Sequence, residues 1–406
     1  MQRNPEYNRY DLAVVACLRA AVWQTPCDID TAILNDSAFW QAAYRQSCGH
    51  LLSVWAINQG LPVADVARQK IQVFSVYQRT VRQNRLLCDL VTLLRLNGIE
   101  TVLLKGYGLS LLYPKTEMRE YGDIDLYVGE ENYDRTVALI RKTYPQTYWF
   151  SEEHVSHHFL MQLDENCDLV AEFHNMAMDL PGMKKAEQAF TAFTLRELQS
   201  VRTISLDGID IAVPSVRFNA VYVFIHAWHH FSGNGVGVRQ LADWMLCLHE
   251  LAQTLSAEEK QAYAHDLERL LRRMSMLQIW QTFGCVIVRH LGLPKEEFLL
   301  YNASQERRGG AAILATLARR ARLSFGEQRE RGYHSFIPVP SSGKEPHSAG
   351  AVHLGAHTLR HVPIGKDISA PGNKAVLWQN PFGGSQSTKK DRLCIIEVVS
   401  FLAVLR

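Results

Sequence analysis

Apolar positions along most of this chain recur at spacings of three and four residues, interrupted by short runs that alternate or stay apolar for only a few positions. The first spacing puts side chains on one face of a helix, and alternation puts them on one face of a strand. Residues 8–60 read as two or three helices. Leu12, Val15 and Leu18 are spaced for one buried face, and Phe39, Ala43, Leu51, Val54 and Ile57 for another. A longer helix is predicted over residues 65–96, with Phe74, Tyr77, Val81, Cys88, Val91 and Leu94 on one stripe. Asn97-Gly98 stops it, since the residue after a last helical turn is often left-handed and glycine takes that conformation without penalty. The apolar run Val102-Leu103-Leu104 then reads as a buried strand, and the long helix is expected to pack on the sheet that this strand joins.

A helical pattern follows Lys105-Gly106 through Leu109, Leu112 and Tyr113, and a polar turn with Pro114 leads to a second strand over residues 123–128. Leu139 and Ile140 belong to a helix after it. Residues 154–163 and 168–174 alternate on either side of a turn at 164–166, which reads as an antiparallel hairpin. Residues 201–213 form a smaller hairpin with Asp207-Gly208 at its tip. From Pro214 the pattern is helical again, over residues 218–231, 239–251, 257–274, 277–291 and 311–323, with Pro214-Ser215 as the first helix start. The fold class is therefore α+β: a small mixed or antiparallel sheet flanked by helices, preceded by N-terminal helices and followed by a C-terminal helical half. The expected division is residues 1–97 (helical), 98–213 (the sheet domain), 214–335 (helical) and 336–406 (a low-order tail). That tail is rich in Gly, Pro, Ser and His until about residue 390 and ends in an apolar run over 395–405, which suggests an altered reading frame or a lineage-specific addition.

Composition narrows the class. A chain of 406 residues with 47% hydrophobic content buries a sizeable core, and two globular parts are expected. A net charge of +2 offers no strong field for nucleic acid or a membrane surface. The eight cysteines lack a Cys-x-x-Cys pair, and several lie inside apolar helical patterns, the usage of reduced buried thiols. Polar residues precede the first apolar segment, and no apolar run reaches the roughly 18 residues that span a bilayer. These features together predict a cytoplasmic location.

The chemistry concentrates in VLLKGYGLSLLYPKTEMREYGDIDLYV, residues 102–128. On the second strand Asp123 and Asp125 share one face, and Ile124, Leu126 and Val128 the other. Two carboxylates side by side repel unless a cation lies between them, and hard divalent ions take such ligands together with substrate phosphates. The strand–Gly106–helix turn before them is a natural phosphate cradle, because a helix start offers free N–H groups. Lys105 follows a buried strand, where an unpaired ammonium is costly, so a phosphate or carboxylate partner is expected. Arg119 is read either as an exposed loop residue or as a planar fork that meets a triphosphate or locks the loop.

Lys105-Gly106, Arg119 and Gly122-Asp123-Ile124-Asp125-Leu126, in that order, resemble the core of the polymerase-β-like nucleotidyltransferase superfamily, within it the group of uncharacterised nucleotidyltransferases. Lys105 stands where relatives have a small residue, and Gly106 where many have Ser. The resemblance spans roughly residues 90–330 and makes the sheet a nucleotidyltransferase sheet. It implies a Mg2+ (or Mn2+) site on Asp123, Asp125 and a third acid, for which Glu172 on the hairpin fits. It further implies an NTP donor held by Lys105, Gly106, Gly108 and Arg119, and an acceptor of unknown kind: a small molecule, a protein or RNA. His174, two residues beyond Glu172 on the same strand face, is a candidate for the acceptor side. So are His226, which shares a helix face with His230, and the Arg239/Asp243 pair, which an ordinary intrahelical ion pair explains equally well. The rival expectation is a non-catalytic nucleotide-binding or antitoxin-like regulatory module of the same fold.

Overall fold

The computed structural model describes residues 9–150, 158–162, 169–232 and 237–305, and the statements below concern those residues. The predicted helix over 311–323, the turn at 164–166 and the tail over 336–406 lie outside them.

Three helices open the described chain: α1 (Arg9–Trp23), α2 (Ser37–Arg45) and α3 (Gly49–Asn58). Asp36 caps α2 by accepting from the Ala38 N–H. The buried stripe of α1 is Val14, Cys17, Leu18 and Ala21, a rotation of the stripe expected from the sequence, and Leu12 lies 49% exposed. The alanines explain the difference. They pack as closely as larger residues but contribute little to a stripe drawn through Leu and Val.

The long helix α4 runs Val66–Leu96 and stops at Asn97 and Gly98, whose φ of +67° is the expected left-handed stop. Along the expected stripe only the second half is covered: Leu86, Leu87, Leu90, Val91 and Leu94 are buried, whereas Phe74, Tyr77 and Val81 are more than 45% exposed. The first half is held from another side, where buried Gln69 accepts from Tyr44 and Ser53. At 1.5 Å per residue this helix is about 46 Å long. Periodicity tells which residues share a face, not whether a neighbour covers it.

The chain then builds the sheet from β1 (Val102–Leu103), β2 (Asp123–Tyr127), β3 (Tyr148–Phe150), β4 (His158–Gln162) and β5 (Val170–His174), with the one-turn helix α5 (Tyr107–Ser110) after β1 and α6 (Glu130–Thr143) after β2. The strand order is β1-β2-β5-β4-β3. β2 and β5 are parallel and the remaining pairs antiparallel, a mixed sheet. In β2, β4 and β5 the alternation divides two faces cleanly. Ile124, Leu126, Phe159, Met161, Ala171 and Phe173 point into a core shared with the second half of α4 and with Ile140 of α6. Asp123, Asp125, His158, Glu172 and His174 therefore fall on the opposite face.

After α7 (Lys184–Glu197) the small hairpin forms from β6 (Arg202–Leu206) and β7 (Ile209–Val213), with Asp207 and Gly208 both at positive φ, as a two-residue hairpin turn requires. Four helices follow: α8 (Val216–Ser232), α9 (Val238–Thr254), α10 (Ala257–Arg273) and α11 (Leu277–Val286). Ser215 starts α8 by accepting from the Phe218 N–H. Buried residues of α8–α11, among them Phe218, Tyr222, Phe224, Trp244 and Trp280, share one core with those of α1–α3. No described helix is long and apolar enough to cross a membrane.

Candidate functional site

The site is assembled by strand register. Asp125 on β2 stands opposite Glu172 on β5, and β4 sets His158 opposite His174. Two residues along β5 from Glu172, on the same face, His174 reaches back to both carboxylates. Its Nε2 is 3.2 Å from Asp125 Oδ1 and 3.5 Å from Glu172 Oε2. Asp125, Glu172 and His174 thus bring one ligand atom each within 4.8 Å of one another. Asp123 lies at the half-buried start of β2, opposite Val170 and one step from this group.

Lys105 ends the apolar run of β1 and turns its ammonium inward, where Nζ lies 2.9 Å from Asp125 Oδ1. The expected carboxylate partner is therefore Asp125. The same ammonium donates to His226 Nε2 of α8 at 3.0 Å. Since that nitrogen accepts from Lys105 it carries no proton, and the Nε2 of His230 lies 3.3 Å from it. His226 thereby brings α8 against Lys105.

Charge follows from this packing. Burial works against the ionised form of Asp125, yet the Lys105 ammonium and the His174 hydrogen bond hold its carboxyl well below the usual carboxylate range. Asp123 goes the other way, pushed up to about 6 by burial and by the Asp125 charge beside it. Burial also opposes the charged form of His174, but hydrogen bonds to Asp125 and Glu172 win and raise it to about 9. Burial and the neighbouring Lys105 charge keep His226 and His230 neutral, His230 falling to about 4.

A divalent cation fits what is there. Asp125 is fully buried, and its Oδ2 has no hydrogen-bond partner among the described residues. A buried unsatisfied carboxylate oxygen costs on the order of 1–3 kcal/mol or more. A cation on that oxygen removes the cost and relieves the repulsion that Asp123 feels. Asp125, Glu172 and His174 are the residues that could hold it, with Asp123 adjacent.

The glycine turn is real but differs from the expected helix start. Gly106 has φ +58° and ψ −125°, and only the four-residue α5 follows, too short to present a helix N-terminus. The apolar positions of residues 109–113 read as a longer helix because they serve the core rather than a helical face. Gly108 meets Val213, which an added Cβ would approach to 3.3 Å, so its small size serves packing on β7. An added Cβ at Gly106 would come no closer than 3.6 Å to anything, so the cost of a side chain there is backbone strain alone. Gly106→Ala is expected to destabilise by about 1–3 kcal/mol. A melting temperature unchanged within a degree would contradict that.

Arg119 is not an exposed loop residue; it is buried and locks the loop. Its Nε and Nη2 grip both oxygens of Asp243 on α9 at 2.8 and 3.1 Å, and Nη1 donates to the Gly106 carbonyl at 3.0 Å. Tyr113 donates to the same Asp243 at 2.7 Å. The expected Arg239–Asp243 pair along α9 gives way to this long-range bridge, and Arg239 donates to the Glu120 carbonyl instead. A guanidinium fork matches a carboxylate better across two elements than along one helix, where the reach is fixed.

Two residues at the site were not singled out from the sequence. His158 Nε2 lies 3.9 Å from Glu172 Oε2, and its ring stacks obliquely at 5.1 Å from that of His174. Alternation puts His158 on one face of its strand with Leu160 and Gln162, but only the observed register sets it opposite His174. Tyr222 lies one turn before His226 on α8, ring centres 6.2 Å apart, and only the packing of α8 over the sheet puts it there.

A family model described as "Uncharacterised nucleotidyltransferase" matches residues 37–280, more than half of the chain. The match begins well before residue 90 and ends before 330, taking in α2 and α3, whose buried residues share the core of α8–α11. No curated protein and no solved structure matches the chain.

Proposed function

The chain belongs to this uncharacterised nucleotidyltransferase family, and from that premise we propose that it moves a nucleoside monophosphate from an NTP to a hydroxyl-bearing acceptor, with a divalent cation, Mg2+ or Mn2+, held at Asp125 and Glu172. The observation that carries the reading is the register pairing of Asp125 with Glu172 beside the Gly106 turn, with one oxygen of Asp125 buried and unsatisfied. When bound, the ion supplies Lewis-acid polarisation of the donor's phosphoryl oxygens.

The residues divide the remaining work. Asp125 and Glu172 hold the ion's face of the donor, and Asp123 joins them once its neighbour's charge is balanced. Glu172 stays ionised at neutral pH because His174 hydrogen-bonds to it, so it is able to accept the proton of an acceptor hydroxyl. Lys105 keeps its proton through its contact with Asp125 and offers a fixed positive charge to the departing pyrophosphate. Arg119 contributes indirectly, holding the Gly106 turn in place. The helical half after Pro214 reaches the site through His226 of α8 and is the part that would select the acceptor.

One observation favours the rival reading of a nucleotide-binding module. Asp125 Oδ1 is already neutralised by Lys105 and His174, which lets the carboxylate cluster stand without turnover. Incubation with Mg2+ or Mn2+ and α-labelled NTPs, against a panel of metabolites and lysate fractions, separates the two. Label is expected on an acceptor, with pyrophosphate released. NTP binding without transfer would establish the module instead, and transfer of a γ-label would make the protein a phosphotransferase.

A further inference from the structure

The ligand set around Asp125 is not all oxygen. We propose that His174, on releasing to solvent the Nε2 proton it shares with the two carboxylates, becomes a nitrogen ligand of the cation site beside Asp125 and Glu172, and that the site selects a first-row transition ion such as Mn2+ or Co2+ over Mg2+. The inference deepens the cation-dependent reading above but rests on the side-chain geometry and not on the reaction.

Spacing is the first support. Donors bound at about 2.1 Å to one ion lie about 3.0 Å apart at octahedral angles and about 3.4 Å apart at tetrahedral ones. The Nε2 of His174 lies 3.5 Å from Glu172 Oε2, a separation that ligands of one ion can have, and 3.2 Å from Asp125 Oδ1, the oxygen that Lys105 also meets, which leaves Asp125 Oδ2 for the ion. Burial is the second. Asp125 has no exposed surface, and its Oδ2 has no partner among the described residues, while Lys105 takes Oδ1. An oxygen of that kind is left for a cation rather than for solvent. Rigidity is the third. His174 is buried at 4% exposure within β5, set opposite His158 by the register and with that ring 5.1 Å away. The imidazole is therefore held at the group instead of swinging toward it.

Ligand chemistry turns this geometry into a selectivity. Mg2+ takes oxygen ligands and keeps several waters, whereas imidazole suits the later first-row ions, with Mn2+ accepting both kinds. A buried imidazole in the first shell favours Mn2+ and Co2+ beyond the general rise in affinity along the series.

The experiment is Mn2+ titration into chelator-treated full-length protein, with binding followed by electron paramagnetic resonance and spin-echo modulation read for directly bound nitrogen. Nitrogen coupling is expected in the unaltered protein, kept in His158→Ala and His226→Ala and lost in His174→Ala. The ratio of Mg2+ to Mn2+ dissociation constants is expected to fall about 10-fold or more in His174→Ala. Stoichiometric Mn2+ with no nitrogen modulation, coupling that survives in folded His174→Ala, or Mg2+ bound as tightly as Mn2+ would each overturn the proposal. Should His174→Ala not fold, the spectrum of the unaltered protein decides by itself. Label transfer with Mg2+ and no nitrogen coupling would sink this inference and leave the transferase reading standing. Nitrogen coupling without transfer would do the reverse.

Discussion

Asp125→Asn is expected to lose nucleotidyl transfer by on the order of 10³-fold or more, the scale at which charge is removed from a preorganised catalytic centre. The substitution keeps the size of the side chain and removes its charge. In the native arrangement that charge holds Lys105 at 2.9 Å and His174 at 3.2 Å and leaves Oδ2 for a cation. An amide in its place faces two cationic groups with one carbonyl oxygen and brings an NH2 toward the other. Cation binding should disappear with it, so the melting temperature of the variant should no longer respond to Mn2+ or Mg2+. Labelled-NTP transfer and a thermal shift with and without the ion measure the two effects together. A folded Asp125→Asn protein transferring label within tenfold of the native rate would remove Asp125 from the centre of the mechanism.

Arg119→Ala carries the largest expected effect on stability, a loss of about 3–5 kcal/mol, because it leaves a buried carboxylate without its partner. Both side chains of the Arg119–Asp243 pair are about one-twentieth exposed, and the arginine also carries the Gly106 carbonyl. The double variant Arg119→Ala/Asp243→Ala should be less unstable than the single one, since no uncompensated charge remains in it. Urea unfolding of both variants measures this. A single-variant loss below 1 kcal/mol, or a double variant worse than the single, would show that the bridge is not what joins loop to helix. Acid should narrow the difference. Burial pushes the Asp243 carboxyl up, but Arg119 and Arg239 outweigh it and hold it below the usual range. A carboxyl depressed in the folded state stabilises fully above its unfolded pKa of about 4 and loses that contribution as pH falls through the folded value. The native protein should therefore lose this contribution only as pH falls below about 4, whereas in Arg119→Ala the buried carboxyl left without its fork takes up a proton at higher pH, so the gap is largest near neutral pH and narrows as pH falls.

Several parts of the molecule were legible before any coordinates because they rest on local rules. The stop at Asn97-Gly98, the hairpin tip at Asp207-Gly208 and the start at Ser215 all depend on backbone conformation or one nearby hydrogen bond. The placement of Asp123 and Asp125 opposite Ile124 and Leu126 needed only the two-residue repeat of a strand. Roles that depend on a distant partner were misread or left open. Gly108 reads as part of a phosphate loop, and the structure adds that its lack of a side chain makes room for Val213. Arg239 and Asp243 looked like neighbours on a helix, yet the carboxylate goes to an arginine 124 positions earlier in the chain. Phe74, Tyr77 and Val81 continue an apolar face past the end of what covers it.

The order of residues by itself determined that a strand bearing two aspartates follows a glycine turn, and that a glutamate and a histidine share a face of a later strand. Local backbone preference and side-chain alternation act within a few residues, so the chain carries that information in full. Only the tertiary structure decided that β2 and β5 run parallel in the register that sets Asp125 against Glu172, and that α8 closes over Lys105 with His226. Strand pairing and helix packing are chosen by the burial of whole faces against one another. The energy that selects them belongs to no short stretch of sequence.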